Sequence, residues 1–261
     1  MERDDLEREI RALDEGRGAV ALDGFRAVGV TGGDAAAWLQ DLVTAGVEQL
    51  GNGEAVRSLL LGPTGRIRAD LHVLRVADAF WLLQALDQLT GIADLLEPYV
   101  LSSDVALRQE PAPDLLAVPR VGPWRFAPRG GDGLRPVGAA ALEIWRIRHG
   151  IARFPVDLDE DSLPAEAGLD DGVVVDRTKG CFLGQESVAK VRNLGHPARV
   201  VLALRSQGPA RPGEPVLAEG VEAGLVTSVE DPDGPGAVLA RVRWQAHEGE
   251  LATSSGVALG P

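Results

Sequence analysis

Residues 176–186 read Asp-Arg-Thr-Lys-Gly-Cys-Phe-Leu-Gly-Gln-Glu and contain Cys181, the only cysteine of the 261-residue chain. Two glycines flank a thiol and an aromatic ring directly before a helical pattern at 187–192. Backbone amides at a helix N-terminus point outward and the helix dipole favours an anion, an environment that activates a thiol. The segment therefore predicts a reactive thiol at Cys181, with Lys179 beside it. The alternative is a buried, inert cysteine, because free cysteine is among the most buried residue types.

The same segment resembles the Lys-Gly-Cys-Phe/Tyr-x-Gly-Gln-Glu signature of the YgfZ folate-binding family, a branch of the glycine-cleavage T-protein superfamily of aminomethyltransferases. Other stretches are similar to further motifs of these proteins, so the resemblance covers most of the chain. They are 29–40, similar to the opening strand and helix, 65–71, similar to a Gly-Gly-x-x-Asp-Asp-Leu turn, 146–151, similar to a Leu-Arg-x-Glu-x-Gly segment, and 195–199, similar to the continuation of the cysteine motif. The cysteine motif is the most specific of them.

The resemblance implies an α+β fold: a cloverleaf of α/β lobes around a central folate cavity, followed by a small C-terminal β-barrel. Independently of the resemblance, short apolar runs separated by Pro-Gly turns predict an all-β barrel after residue 196. We therefore expect an N-terminal α+β lobe at 1–110, a second lobe with a connector and the cysteine motif at 111–195, and the barrel at 196–261.

Hydrophobic periodicity gives the local predictions. Helices are predicted at 4–15, 38–43, 89–100, 140–148 and 187–192. Strands are predicted at 19–22 and 27–30, as a hairpin around an Asp-Gly turn, and at 56–61, 67–76 and 80–86, as an antiparallel meander. Thr31 and Asp34 have the spacing of a capping box before the second helix. The segment 110–138 is rich in Pro, Gly and Arg, which predicts a connector with a strand or two.

The resemblance also implies a ligand and a role. It implies tetrahydrofolate, or a derivative, as cofactor, and a part in assembling, maintaining or repairing proteins with 4Fe-4S clusters, including tRNA-modifying enzymes. The alternatives are a folate-dependent aminomethyltransferase or one-carbon transferase, and a scaffold that has lost folate and docks partners. Two departures argue against glycine cleavage. Ala69 replaces the aspartate that orients the folate amine in aminomethyltransferases, and Arg148 replaces a glutamate that pairs with the pterin.

The resemblance assigns the cofactor-contacting residues. They are Phe25, Asp70, Leu142, Trp145, Arg148, Gln185, Glu186 and Arg199, in addition to Cys181 and Lys179 as the reactive-thiol pair. Structural alternatives stay open for them. The apolar residues have the spacing of core positions on a strand or helix. Arg199 and Lys179 pair either with a folate carboxylate or with surface acids, and an acidic helix start complements the helix dipole without any ligand.

Composition and charge limit the function classes. The chain is 45% hydrophobic and 25% charged, and no apolar run approaches the ~20 residues that span a bilayer, so no membrane is expected as a partner. A net charge of -13 disfavours nucleic acid as a direct partner. The N-terminus is charged from Glu2, which predicts a cytoplasmic protein. One cysteine and four scattered histidines predict no bound metal, and the G-x-G-x-x-G dinucleotide motif is absent.

Overall fold

The computed structural model describes residues 3–130 and 133–261. Its strands form a five-stranded sheet, a four-stranded sheet and a closed barrel. The helices are α1 (Arg3–Asp14), α2 (Ala35–Leu42), α3 (Ile92–Leu96), α4 (Ala139–Arg148) and α5 (Gln185–Leu194). The strands are β1 (Gly18–Ala21), β2 (Phe25–Thr31), β3 (Ala55–Leu61), β4 (Ile67–Val76), β5 (Ala79–Ala85), β6 (Ala106–Gln109), β7 (Leu115–Val118), β8 (Arg125–Pro128), β9 (Arg135–Pro136), β10 (Arg199–Ser206), β11 (Pro215–Ala218), β12 (Val221–Val229), β13 (Gly236–Arg243), β14 (Leu251–Thr253) and β15 (Ala258–Gly260).

The five-stranded sheet has the order β3-β4-β5-β2-β6, and its neighbouring strands are antiparallel. The predicted meander of β3, β4 and β5 is therefore confirmed. Because side chains alternate between the two faces of a strand, β4 divides its residues between two environments. Ala69, Leu71 and Val73 pack in a core with α2 and α3. Asp70 and His72 belong to the opposite face, where they line a cavity.

The four-stranded sheet, in the order β8-β7-β1-β9, packs with α1 and α4 in a second core that also contains Ala27 and Leu83 of the first sheet. The predicted hairpin is wrong. β1 pairs with β7 and β9, whereas β2 pairs with β5 and β6. A 3-10 turn at Leu22–Gly24 carries the chain from one sheet into the other. A local Asp-Gly signal shows where a chain turns but not which partner each strand takes.

The α2 helix is confirmed, but the predicted capping box is wrong. Asp34 is the N-cap residue and makes no side-chain hydrogen bond into the helix. Its Oδ2 instead accepts a hydrogen bond from the backbone N of Asp104 at 2.8 Å, and Asp104 Oδ2 accepts one from the backbone N of Gly33 at 2.9 Å. The predicted helix at 89–100 is shorter, since α3 passes into a 3-10 turn at Glu97–Tyr99. No helix in the described ranges has the length and apolar character needed to cross a membrane.

The C-terminal strands close into the predicted barrel, in the order β10-β13-β12-β11-β14-β15. Its interior contains Val216, Val226, Val238 and Ala240, all almost fully buried. α4 packs on its outside, where Ile147 meets Leu239. The connector before α4 carries three strands, β7, β8 and β9, where one or two were predicted. The proposed domain boundaries stay predictions.

Candidate functional site

A cavity of about 540 Å³ lies where the two sheets and α4 meet. Its size is within the roughly 300–1,000 Å³ of small-molecule sites in proteins. Its walls combine apolar and aromatic side chains with a few charged ones. The charged and polar residues are Arg57, Asp70, His72, Asp87, Gln88, Glu143, Arg146 and Arg153, and the aromatic ones are Phe25, Trp124, Trp145 and Phe154. Apolar walls with a few converging polar groups are typical of a ligand site.

Asp70 and Arg57 form an ion pair in the wall of this cavity. Nε and Nη2 of Arg57 donate to Oδ1 and Oδ2 of Asp70 at 2.9 and 2.6 Å, and Nη2 also donates to the carbonyl oxygen of Ala152 at 2.8 Å. The two side chains are only 16% and 10% exposed. A two-bond arginine–carboxylate contact fixes both orientation and position. The Asp70 carboxylate is thus held rigidly at the cavity surface.

Gln88 holds the backbone of Asp70. Its Oε1 accepts a hydrogen bond from the Asp70 N at 3.1 Å, and its Nε2 donates to the Asp70 carbonyl oxygen at 2.6 Å. The Gln88 amide thus supplies a donor and an acceptor to the Asp70 backbone beside the end of β5 at Ala85. Gln84 Nε2 donates to Gln88 Oε1 at 3.1 Å and fixes the amide in turn. Sequence reasoning missed Arg57 and Gln88.

The residues at positions 69 and 148 do not face the cavity. Ala69 is fully buried in the core beneath α2 and α3, on the other face of the sheet from Asp70. Arg148 Nη2 lies 2.6 Å from Glu7 Oε1 and 2.6 Å from Glu230 Oε1, and the residue does not line the cavity. Neither position lines the cavity of this chain, and the expectation that Ala69 and Arg148 disfavour glycine cleavage stays a prediction.

His72 and Trp124 form the aromatic part of the wall. Their rings are stacked, with centroids 4.3 Å apart and planes at 26°. Trp124 also meets Phe25 edge to face, with centroids 6.3 Å apart. Burial lowers the pKa of His72 to about 4. The charge of Asp70 raises this pKa and the charge of Arg57 lowers it, but burial has the largest effect. The imidazole is therefore neutral at neutral pH. The predicted Phe25 is thus accompanied by two ring side chains that sequence reasoning missed.

The arginines that line the cavity are already paired with carboxylates. Arg146 Nη1 donates to Asp157 Oδ2 at 2.7 Å, and its Nε donates to Glu143 Oε2 at 2.7 Å. Arg153 pairs with Asp87, and its Nε lies 3.4 Å from Glu143 Oε2. Together with the Arg57 pair, every described arginine lining the cavity has a carboxylate partner. An anionic ligand group therefore meets, among the described lining residues, only arginines whose charge a carboxylate already balances.

Four of the predicted contact residues line the cavity: Phe25, Asp70, Leu142 and Trp145. Trp145 is 2% exposed and its Nε1 donates to Asp14 Oδ1 at 2.9 Å, so it also serves the core between α1 and α4. Leu142 is half-buried in the same core. Leu142 and Trp145 are therefore core residues and cavity-wall residues at once. One face of each side chain packs in the core and another borders the cavity.

The other predicted contact residues lie elsewhere. Besides Arg148, they are Gln185, Glu186 and Arg199, none of which lines the cavity. Arg199 Nε lies 3.2 Å from Glu166 Oε2. Glu186 is exposed on α5 and its Oε1 lies 2.6 Å from Lys190 Nζ. Gln185 is the first residue of α5. The structure thus places these positions in salt bridges or at a helix start, and the Glu166 partner of Arg199 is buried.

Cys181 lies exposed on a loop outside the cavity. Lys179 Nζ donates to the carbonyl oxygens of Val43 and Ala45 at 2.6 and 3.0 Å. Burial lowers the pKa of Lys179 to about 8. Phe182 is 7% exposed and packs in one apolar cluster with Phe154, which lines the cavity. The expected place of the thiol at the cavity edge is therefore corrected, since packed side chains connect the loop to the cavity but the thiol does not border it.

The described residues contain no group of three or more His, Cys, Asp or Glu side chains arranged to hold a metal ion. The cavity wall offers ring surfaces and hydrogen-bonding side chains to a ligand, and the exposed thiol forms a separate feature.

Comparisons with known proteins agree with this architecture. Residues 2–109 match the GCVT N-terminal domain family. The aminomethyltransferase of Chromobacterium violaceum is 25% identical over 255 residues, which cover 77% of this chain and 70% of that protein. The aminomethyltransferase of Rippkaea orientalis is 33% identical over 128 residues, which cover 49% of this chain and 34% of that protein. The matches therefore range from about a third to somewhat over two thirds of the relatives' length.

Among solved structures, the glycine cleavage system aminomethyltransferase T from Bartonella henselae superposes with a TM-score of 0.77 at 20% identity, covering 97% of this chain and 87% of that one. This likeness confirms the mixed α/β fold with its closed six-stranded C-terminal barrel. Residues 2–109 are thus similar to the GCVT N-terminal domain, and most of the chain is similar to aminomethyltransferases in sequence and in fold.

Proposed function

We propose that this chain binds tetrahydrofolate, or a derivative of it, in the cavity beside Asp70 and Trp124. The observation that carries the proposal is the cavity itself, which has about 540 Å³ of space and stacked ring side chains in its wall. Flat aromatic surfaces suit a flat heterocycle, because offset and edge contacts between rings are favourable. The similarity of the chain to aminomethyltransferases indicates folate as the ligand class. When bound, tetrahydrofolate carries one-carbon units.

The residues of the wall fit such a ligand. Phe25 and Trp124 offer ring surfaces, and the carboxylates of Asp70 and Glu143 offer acceptors for the N–H groups of a reduced pterin. The glutamate tail of a folate is anionic, and the arginines of the wall already have carboxylate partners. We therefore expect the tail to stay toward solvent, where water screens its charge.

The second part of the proposal concerns Cys181. We propose that its thiol makes transient contact with client or assembly proteins of 4Fe-4S clusters, including clients that modify tRNA. The resemblance of 176–186 to the YgfZ signature supplies this role. The exposure of the thiol and the tethering of Lys179 to two backbone carbonyls support it, because a presented and rigid thiol is what a partner protein would meet.

One observation favours a second function, folate-dependent aminomethyl or one-carbon transfer. Asp70 presents its carboxylate to the cavity although Ala69 occupies the neighbouring position. Turnover of an aminomethyl donor with tetrahydrofolate at about 1 per second or faster is an ordinary enzymatic rate and decides for transfer. Binding without turnover contradicts transfer from that donor, and the maintenance role is then tested by the Cys181 variant.

Folate binding is tested by titrating the full chain with tetrahydrofolate and following tryptophan fluorescence. Trp124 and Trp145 line the cavity, so a bound ring is expected to quench them. A carboxylic acid without a pterin serves as the ligand control and is expected to change nothing. The variant Trp124→Leu is expected to lose most of the quenching. Fluorescence of the wild-type chain that tetrahydrofolate leaves unchanged, together with no heat of binding in calorimetry, contradicts the proposal.

The thiol role is tested separately in a strain that lacks the gene for this protein. Cys181→Ser is expected to fold as the wild type and to bind tetrahydrofolate, yet to fail in restoring the activity of 4Fe-4S enzymes. Lys190→Gln, an exposed change on α5, is the matched control and is expected to restore it. Full rescue by Cys181→Ser excludes a reactive-thiol role while leaving the folate proposal intact.

A further inference from the structure

His72 is a buried polar residue whose surroundings leave one ring nitrogen without a partner. The residue is 8% exposed and lines the cavity. Trp124 covers one face of its ring at a centroid distance of 4.3 Å. Its Nδ1 contributes less than 1 Å² of accessible surface and has no hydrogen-bond partner within residues 3–130 and 133–261. Most buried polar atoms in native proteins have a partner, so this nitrogen requires a physical explanation.

The tautomer of the ring follows from that environment. An orphaned buried N–H group is rarer in native proteins than an acceptor with a free lone pair. The sealed Nδ1 is therefore the unprotonated nitrogen of a neutral imidazole, and the proton resides on Nε2. Burial keeps the ring neutral, since it lowers the pKa of His72 to about 4. Because Nδ1 has almost no accessible surface, the part of the ring that borders the cavity is the other edge, which carries Nε2.

We propose that His72 selects the ligand of this cavity by donating from Nε2–H to the carbonyl oxygen of the bound heterocycle. The inference rests on the proposed folate function and adds a specificity residue to it. Arg57, Arg146 and Arg153 each have a carboxylate partner in the wall, so their charges are balanced there. His72 is instead an uncharged donor, held in place by the Trp124 ring. A carbonyl oxygen on the ligand ring accepts a hydrogen bond from Nε2–H. An amino group at the same position is itself a donor, so two donors would face each other.

The consequence is discrimination between two ligands of nearly equal shape. A site built to hydrogen-bond one group rejects an analogue that lacks it, because the buried partner is then left unpaired. The chain is expected to bind tetrahydrofolate about tenfold more tightly than the analogue in which an amino group replaces the ring carbonyl oxygen.

The experiment measures Kd for both ligands by calorimetry on the full chain and on three variants. His72→Phe keeps a flat ring against Trp124 but has no donor, and it is expected to lose the preference between the two ligands. His72→Gln places an amide N–H near the position of Nε2 and is expected to keep a preference within about threefold of the wild type. His196→Phe is the matched control, since His196 is an exposed histidine that stacks on Trp244 at 4.9 Å outside the cavity.

The ratio of the two Kd values is the decisive readout, because a merely structural role of His72 weakens both ligands alike and leaves the ratio unchanged. Thermal melting establishes that each variant is folded. If His72→Phe does not fold, the smaller His72→Leu takes its place with the same expected loss of preference. A wild-type ratio in the folded donor-free variant overturns the inference alone, whereas absence of tetrahydrofolate binding in the wild type overturns the proposed function as well.

Discussion

Arg57 and Asp70 depend on each other because both side chains are largely withdrawn from water. Removing one partner of such a pair leaves the other charge without compensation. Asp70→Ala is expected to lower the free energy of unfolding by about 3 kcal/mol, measured by chemical denaturation. The double variant Arg57→Leu with Asp70→Ala is expected to recover part of that loss, since it leaves no charge behind.

The control for this prediction is Arg8→Ala. Arg8 pairs with Asp5 on the surface of α1, where the side chains are 67% and 47% exposed. Exposed pairs contribute about 1 kcal/mol or less. Equal losses for Asp70→Ala and Arg8→Ala contradict the view that the cavity pair is sheltered from water.

His72 links stability to pH. Its pKa is lowered from 6.5 in the unfolded chain to about 4 in the folded protein. Between these values the unfolded chain binds the extra proton and the folded protein does not, so stability falls as the pH falls from about 6.5 to 4. The loss reaches about 3 kcal/mol at the lower end of that window. Above pH 6.5 the ring is neutral in both states and contributes no slope.

The corresponding measurement is the free energy of unfolding of the wild type and of His72→Phe at several pH values between 7 and 4. The variant is expected to lose stability less steeply in the window, because it has no imidazole to protonate. His196→Phe is expected to keep the wild-type slope. Parallel curves for the wild type and His72→Phe contradict the assignment of the slope to His72.

At the scale of elements, α5 and the turn before β4 meet through two glycines. Gly184 precedes α5 with φ 81° and Gly65 precedes β4 with φ 76°. A Cβ on Gly184 would lie 2.6 Å from the carbonyl oxygen of Gly62 and 3.1 Å from the Cα of Gly65. The cysteine motif and the Gly-Arg-Ile turn, which are far apart in sequence, therefore pack backbone against backbone.

Gly184→Ala is expected to lower the free energy of unfolding by about 3 kcal/mol, because it combines a left-handed backbone with a clash against main-chain atoms. Gly180→Ala is the matched control in the same motif. A Cβ there meets nothing within 4 Å, so its effect is expected to stay within about 0.5 kcal/mol. Thermal and denaturant unfolding of both variants give the comparison, and equal effects rule out the close approach as the cause.

Element identity was predictable where a periodic pattern was long, and partner choice was not. β4 alternates from Ile67 to Val73, and its neighbours β3 and β5 lie directly before and after it in the chain, so local pairing produces the meander. β1 and β2 carry an equally clear pattern, yet β1 pairs with β7, nearly a hundred residues later. The strands 19–22 and 27–30 were correct as strands and wrong as a hairpin, because sheet pairing depends on distant segments.

The same limit applies to the site. Position 72 follows Asp70 by two residues on one strand, so alternation alone places both side chains on one face. Trp124 is different, because it lies in a Pro-Gly-rich connector whose pattern does not predict that its turn covers His72. Arg57, Gln88 and Glu143 enter through contacts between segments far apart in the chain. The motif resemblance found Phe25, Asp70, Leu142 and Trp145, but it also included residues such as Arg199 that lie outside the cavity.

For the whole molecule, Asp157 is the carboxylate that joins the lobes to the barrel. It is 1% exposed. Its Oδ2 accepts hydrogen bonds from Arg146 Nη1 at 2.7 Å and from the backbone N of Arg153 at 3.1 Å. Its Oδ1 accepts from Thr227 Oγ1 at 2.6 Å and Ser228 Oγ at 2.7 Å, both on β12 of the barrel. One carboxylate therefore connects α4 and the 151–154 wall of the cavity to the barrel.

Asp157→Ala is expected to cost about 3 to 5 kcal/mol of unfolding free energy, because it leaves the buried guanidinium of Arg146 with Glu143 as its only carboxylate partner and removes the acceptor of two hydrogen bonds from Thr227 and Ser228 on β12. The exposed Asp233→Ala, which removes a surface contact to Arg211, is the control and is expected to change stability by less than about 1 kcal/mol. Hydrogen exchange followed by mass spectrometry locates the effect. Faster exchange is expected in β12 and in 151–158 before the far side of the barrel, β14 and β15, responds. If exchange becomes faster uniformly over the whole chain, or does not change, Asp157 is not a local connection between these segments. Only a contact that the two segments share makes them open together.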